Sequence, residues 1–331
     1  MEVIYLKSLI QAVTDKILSG ETINFAEAVK MINIAENDEI ALEALYEGAN
    51  IIREDFMGKK VDLCAIINGK SGKCSENCRF CAQSAHYDTK IDNHGFLEYE
   101  EILKRALDME DQGVVRFSIV TSGKGIHNED ELKKLGEIYW QLKKDTNLKL
   151  CASHGIISYE QAVYLRKVGV TTYHHNLETS RWFFPRICTT HTYDERVNTI
   201  KNVQKASLDV CCGGIIGMGE TLEDRISMAF EMKELGVKSV PINILTPIKG
   251  TPLQDKQILS PFEILKTMAV FRYILPDAHI RYAGGRMALE SHQIKGFKAG
   301  INAALVGNYL TTSGSNIEED KKMIKAAGLE L

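Results

Sequence analysis

The feature that most constrains this chain is an alternation running from about residue 61 to residue 306. Short, mainly apolar runs stand at 61–67, 114–120, 148–152, 170–174, 208–216, 239–245, 279–282 and 301–306. Amphipathic, charged stretches of helix length separate most of them, at 99–112, 130–144, 158–168, 193–206 and 221–235. Apolar runs without strict alternation are what strands buried on both faces look like, and helical crossovers between them make such strands parallel. Eight such units in a chain of 331 residues predict an α/β fold of the (β/α)8 barrel type. Ahead of them, Asn24 is followed three residues later by Glu27, a capping-box pattern. Ile40, Leu42, Leu45, Ala49 and Ile52 then recur at helical spacing. The expected organisation is an N-terminal helical extension over 1–55, the barrel over 56–320 and a C-terminal tail over 321–331.

A barrel of this kind carries its chemistry at the C-terminal ends of its strands. Ser118, Cys151, Asn176, Glu178, Cys211, Asn243 and Arg281 fall near those ends. A purely structural barrel has no need of so many polar and sulfur-bearing side chains there.

Composition narrows the class. Apolar residues make up 44% and charged residues 25%, as in a globular protein. A net charge of -4 gives no basic footprint for nucleic acid and no polybasic patch for a membrane surface. No apolar run is long enough to span a bilayer, and the first residues lack a signal peptide's charged start and apolar core. The expected location is the cytoplasm. In a reducing compartment the eight cysteines are better read as ligands or packed apolar groups than as disulfides.

Three of them are clustered. Cys74, Cys78 and Cys81 form a C-x3-C-x2-C loop directly after the first apolar run. Iron–sulfur clusters are usually held by four thiolates. Three thiolates leave one iron with an open position, which is what a ligand-binding metal needs. Phe80, just before the third cysteine, suits a wall beside an adenine. The alternative is a zinc site completed by His86, but zinc sites favour C-x2-C pairs and no second pair with that spacing exists.

This loop, following a strand of an α/β barrel, resembles the radical S-adenosylmethionine (SAM) superfamily. The segments 78–84 (CRFCAQS), 173–179 (YHHNLET), 213–220 (GGIIGMGE), 241–243 (PIN) and 249–253 (KGTPL) together resemble the biotin synthases. The likeness runs from about residue 45 to the C-terminus. It implies sulfur insertion into dethiobiotin to give biotin, a sulfurtransferase reaction closing the biotin pathway. It also implies that Cys74, Cys78 and Cys81 bind a [4Fe–4S] cluster whose free iron takes SAM, whose cleavage yields a 5′-deoxyadenosyl radical. Asn176 and Glu178 match a strand-end pair touching SAM ribose and substrate, with Glu where the family more often has Asp. Phe80, Thr121, Arg196 and Ile215 match SAM contacts. Asn243 matches an amide that reads the ureido ring, and Thr311 matches a threonine that closes on substrate. An electron donor of the flavodoxin or ferredoxin type and a homodimer are further implications.

Plainer readings stand beside these. Asn176 and Asn243 can serve strand-end backbone groups, Thr121 can be a loop or capping residue, and Arg196 can form a solvated ion pair with Asp194 or Glu195. The glycines of 213–219 do not spell a dinucleotide fingerprint and suit a close backbone approach or a tight turn.

The family also carries an auxiliary iron–sulfur cluster, regarded as the sulfur donor and commonly [2Fe–2S] on three cysteines and an arginine. Cys151, Cys211 and Arg281 match three of those positions. The fourth is Ser118, a poor ligand for a soft metal. The expectation is that Cys188 replaces it, so that Cys151, Cys188 and Cys211 hold the cluster near Arg281, with a four-iron form as one consequence. Cys212 faces away from Cys211 if both lie on one strand, and Cys64, inside the first apolar run, reads as core. Two other functions compete: a related radical SAM enzyme acting on another small molecule, and a non-catalytic iron–sulfur scaffold without a SAM pocket.

Overall fold

The computed structural model describes residues 2–307 and 316–331. Three helices open the chain: α1 (Glu2–Leu18), α2 (Phe25–Ile32) and α3 (Glu39–Met57). The capping box at α2 forms as expected, with Asn24 Oδ1 accepting from Glu27 N at 2.9 Å and Glu27 accepting from Asn24 N at 2.8 Å. Such a cap is worth about 1 kcal/mol.

The apolar runs then form strands, all paired in parallel. They are β1 (Asp62–Lys70), β2 (Arg116–Thr121), β3 (Lys149–Ser153), β4 (Val170–His174), β5 (Asp209–Cys211), β6 (Gly214–Ile216), β7 (Ser239–Ile244), β8 (His279–Tyr282) and β9 (Ala303–Leu305). Pairing of β1 with β9 and of β5 with β7 closes the sheet on itself. The run 208–216, expected as one strand, is two. Between β5 and β6, Gly213 leaves the ladder, giving its N–H to Asn176 Oδ1 at 3.0 Å and its carbonyl to Leu177 N at 3.0 Å. A Cβ at Gly213 would lie 1.8 Å from the Pro241 carbonyl oxygen, so only glycine permits this approach. With β5 and β6 as one interrupted stave, the sheet is the expected eight-stranded barrel.

The expected crossover helices appear as α4 (Tyr99–Asp111), α5 (Glu129–Asp145), α6 (Tyr159–Lys167), α7 (Tyr193–Lys205) and α8 (Leu222–Glu234). A further one, α9 (Pro261–Ile274), is buried at every residue from Ile264 to Ile274. The N-terminal helices cover its outer side. Thr14 Oγ1 lies 3.1 Å from Tyr273 OH, and Lys266 Nζ donates to the Ile34 carbonyl at 2.7 Å. A Cβ at Gly48 would sit 1.9 Å from the Tyr273 hydroxyl. Two helices follow, α10 (Gln293–Phe297) and α11 (Ile317–Ala326). The expected boundary at 320/321 cuts through α11. The segment beyond it is tied to the barrel entry, where Val61 N donates to Glu330 O at 2.8 Å and Glu330 N to Lys59 O at 2.9 Å. It is part of the body and not a loose tail.

Candidate active site

After β1 the backbone turns through Gly72 (φ 78°) and Lys73 (φ 53°), both left-handed, and folds back on itself. Cys74 N donates to Gln83 O at 2.9 Å, Ala85 N to Cys74 O at 2.8 Å and Cys81 N to Cys78 O at 3.0 Å. Ser84 Oγ pins the loop by donating to Glu76 O at 2.6 Å. As a result Cys74, Cys78 and Cys81 line one cavity of about 180 Å3 at the barrel mouth. Burial pushes the Cys74 thiol up and the Cys81 thiol up to about 11. These sulfurs therefore hold protons at neutral pH until a metal displaces them. Among the described residues no other cysteine lines the cavity. Three thiols and no fourth are the donor set of a cluster with one open iron. His86, the candidate fourth ligand of a zinc site, turns instead to the Ser75 carbonyl, with Nε2 at 2.9 Å.

The residues expected around SAM share this cavity: Phe80, Thr121, Asn176, Glu178 and Arg196 all line it. Glu178 sits just past β4 with φ 72°, a strained setting for a non-glycine residue. Its carboxylate receives Asn176 Nδ2 at 3.3 Å and faces Arg196 Nη1 at 3.6 Å. Arg196 is 8% exposed and donates to the Asn176 carbonyl at 2.9 Å, so it is not a solvated surface pair. Thr121 Oγ1 is also engaged, 2.9 Å from His154 Nδ1. Tyr139 OH meets the other nitrogen of that imidazole at 2.9 Å. Burial lowers the His154 pKa to about 3, which keeps the ring neutral.

Cys188 is not where the sequence reading put it. The segment after β4 returns across the mouth to the cysteine loop, where Arg79 N donates to Ile187 O at 3.0 Å and Asn77 Nδ2 to Thr189 Oγ1 at 2.7 Å. Cys188 thereby lies against Cys78 and His191. Those three are, among the described residues, the group close enough to hold a single ion. Cys188 Sγ lies 3.4 Å from Asn77 Oδ1 and 3.3 Å from His191 Nδ1. Hydrogen bonding from Cys78, then from His191 and Thr190, holds its thiol well below the usual range. It lines neither the loop cavity nor the one that holds Cys151 and Cys211. The expectation that it joins those two is therefore corrected.

Two residues that sequence reasoning missed complete this end. Arg196 Nε donates to His191 Nε2 at 3.1 Å, which leaves the imidazole proton on Nδ1, 2.5 Å from Glu76 Oε2. Glu76 also accepts from Thr190 Oγ1 at 2.7 Å. A carboxylate between two loop cysteines was the signal, because it needs partners once buried.

A larger cavity of about 720 Å3 fills the barrel interior and shares Phe80, Ser153, His174, Asn176 and Glu178 with the first as common walls. Cys151, Cys211 and Arg281 line it, as expected of an auxiliary site. So does Cys64, which sequence reasoning had assigned to the core. Cys212 is on the other face and fully buried in the outer core. Ser118 Oγ is buried and makes no hydrogen bond among the described residues. Burial raises Cys151 to about 11; for Cys211 the His174 imidazole and Arg281 outweigh burial and lower it. Below, Arg281 pairs with Asp62, which also takes Arg116 Nε at 3.0 Å. These two guanidiniums overcome burial and hold the Asp62 carboxyl below the usual range. Ile215 and Asn243 line the larger cavity near its mouth. The Asn243 amide bridges Gly214 O at 3.2 Å and Gly284 N at 2.9 Å, so its plainer role is real, and each end keeps capacity for a ligand. Thr311 lies outside the described residues.

Residues 70–232 match the family model of the radical SAM superfamily, and residues 241–330 match that of the biotin and thiamin synthesis associated domain. The chain is 57% identical over 317 residues to a biotin synthase of Acetivibrio thermocellus, covering 96% of this chain and 98% of that one. It is 56% identical to a biotin synthase of Clostridioides difficile, covering 96% and 97%. Among solved structures it is similar to methylornithine synthase, with a TM-score of 0.81, 19% identity and 96% of each chain covered. It is also similar to HydG, a maturase of the [FeFe]-hydrogenase, with a TM-score of 0.82, 17% identity and 98% and 75% covered. At such identities the two structures speak for the fold alone. Among the described residues no helix is long and apolar enough to cross a membrane.

Proposed function

The chain belongs to the biotin synthase family of the radical SAM superfamily, and from that premise we propose which of its residues carry the reaction. It is a sulfurtransferase that converts dethiobiotin to biotin, using a [4Fe–4S] cluster, SAM, an auxiliary iron–sulfur cluster and an external electron donor. When bound, these groups supply reductive cleavage of SAM to a 5′-deoxyadenosyl radical at one end of the site and the sulfur at the other.

The observation that carries the assignment is the placement of two thiol groups along one barrel. Cys74, Cys78 and Cys81 close the mouth, while Cys151 and Cys211 lie on strands of the interior, and the two cavities share walls. A substrate held between them is within reach of both ends, as each of the two carbons that lose hydrogen and gain sulfur requires. In this reading Cys74, Cys78 and Cys81 hold the first cluster, and the Glu178 carboxylate accepts from the ribose hydroxyls of SAM. Asn176 keeps Glu178 in place, and Phe80 and Ile215 pack against the adenine. Arg196 neutralises Glu178 and keeps its strained backbone anchored through the Asn176 carbonyl. Asn243 presents a donor and an acceptor to the ureido ring. Thr311 closing on substrate, a homodimer and a flavodoxin- or ferredoxin-type donor belong to the same reading.

The test is an anaerobic assay of the reconstituted protein with dethiobiotin, SAM and reductant. Biotin and 5′-deoxyadenosine are both expected. Deoxyadenosine without biotin would move the assignment to a relative with another substrate, and failure to bind SAM would make the protein a scaffold.

A further inference from the structure

The interior of a closed eight-stranded barrel is filled in layers, each supplied by alternate strands. Strand register shows which residues share a layer. Cys64 on β1 stands opposite Arg116, and Arg116 opposite Lys149; two residues further along β3 is Cys151. Cys151 stands opposite Thr172, and Thr172 opposite Asp209; two further along β5 is Cys211. Cys211 stands opposite Ser239, and Ser239 opposite His279; two further along β8 is Arg281. Arg281 stands opposite Ala303, and Ala303 opposite Asp62; two further along β1 is Cys64 again. Every step between alternate staves climbs two residues, and the circuit closes with the shear of eight that this barrel type has. Cys64, Cys151, Cys211 and Arg281 are therefore one complete four-residue layer.

Ser118 belongs to the next layer. The same walk from Ser118 passes His174, Pro241 and Leu305 before returning, and none of those is a thiol. Cys188 is on no barrel strand and lies beside Cys78. All four residues of the cysteine layer line the 720 Å3 cavity. The arginine in the layer is tied to Asp62 on the strand that carries Cys64.

We infer that Cys64 is the third thiolate of the auxiliary cluster, completing with Cys151, Cys211 and Arg281 a ring of ligands from four alternate staves. The inference rests on the reading of Cys151, Cys211 and Arg281 as the auxiliary-cluster residues, and gives neither Ser118 nor Cys188 a part in it. Each thiol gives up its proton on binding iron, as thiolate ligation requires. A ring spread over four staves would hold the cluster at one height of the barrel, inside the cavity that all four residues line.

The experiment compares the full-length wild type with Cys64→Ala, Cys64→Ser and Ser118→Ala, each reconstituted without oxygen with iron and sulfide. Iron, acid-labile sulfide and Mössbauer spectra are read alongside 5′-deoxyadenosine formation. Both Cys64 variants are expected to lose the second cluster's iron and sulfide while keeping the first cluster and reductive SAM cleavage. That retained activity shows that the barrel is folded. Ser118→Ala is expected to keep both clusters. A Cys64→Ser protein that retains the full second cluster would overturn the inference and leave the family reading intact. A wild-type protein with no second cluster at all would instead strike the reading on which it rests.

Discussion

The Cys78→Ala protein, reconstituted without oxygen, is expected to form no 5′-deoxyadenosine above the reagent blank. Two thiolates would remain in the loop, and a cluster that needs three to leave one iron open is not held by two. The loss extends beyond a ligand. Cys78 meets Cys188 and His191, and His191 is the link from Glu76 inside the loop to Arg196 on α7 and so to Glu178. The variant thus also disturbs the contact between loop and SAM pocket. Cys188 is the one thiol near enough to compensate, but Asn77, Thr190 and His191 already engage it. The check is the Cys78→Ala, Cys188→Ala double variant. Iron and SAM cleavage that survive in the single variant but not in the double would show Cys188 moving into the loop, contrary to this account.

The Asp320→Ala variant is expected to lose about 3–5 kcal/mol of stability, as when one partner of a buried ion pair is removed. Asp320 on α11 and Arg286, past β8, form an ion pair whose side chains are both 0% exposed. Truncation removes a carboxylate that faces a guanidinium whose side chain is 0% exposed. The pair joins the last helix to the barrel, and the measurement is the guanidinium midpoint of the cluster-free protein under anaerobic conditions. Replacing both residues by apolar side chains of similar volume is expected to cost far less, because no charge is then buried. Equal midpoints for Asp320→Ala and the wild type would contradict the burial that the structure shows.

Much of the barrel was legible because buried parallel strands leave a recognisable trace. Every apolar run but 208–216, which is split in two, became a single strand, and the amphipathic stretches between them became helices. The helix α9 left no amphipathic trace, because α1–α3 cover the side that would otherwise be polar. The break between β5 and β6 was also invisible, since it depends on Asn176, far away in sequence, taking the Gly213 N–H.

The same contrast holds at the site. Three cysteines in eight residues declare themselves by spacing. Cys64 did not, because a cysteine inside an apolar run looks like packing; only the register of the neighbouring strands reveals that it faces the barrel axis. Cys188 misled for the opposite reason. Its loop follows β4 in the chain, yet folds over the mouth and not into the barrel. Glu76 is marked by its place between two loop cysteines, but its pairing with His191, far off in sequence, depends on the segment after β4 meeting the cysteine loop.

The central claim is that substrate lies between the two thiol groups of one barrel, within reach of the radical formed at the mouth. It is tested most directly with dethiobiotin deuterated at the two carbons that receive sulfur. The account predicts deuterium in the 5′-deoxyadenosine released and biotin as the product. Unlabelled 5′-deoxyadenosine formed together with biotin would contradict it.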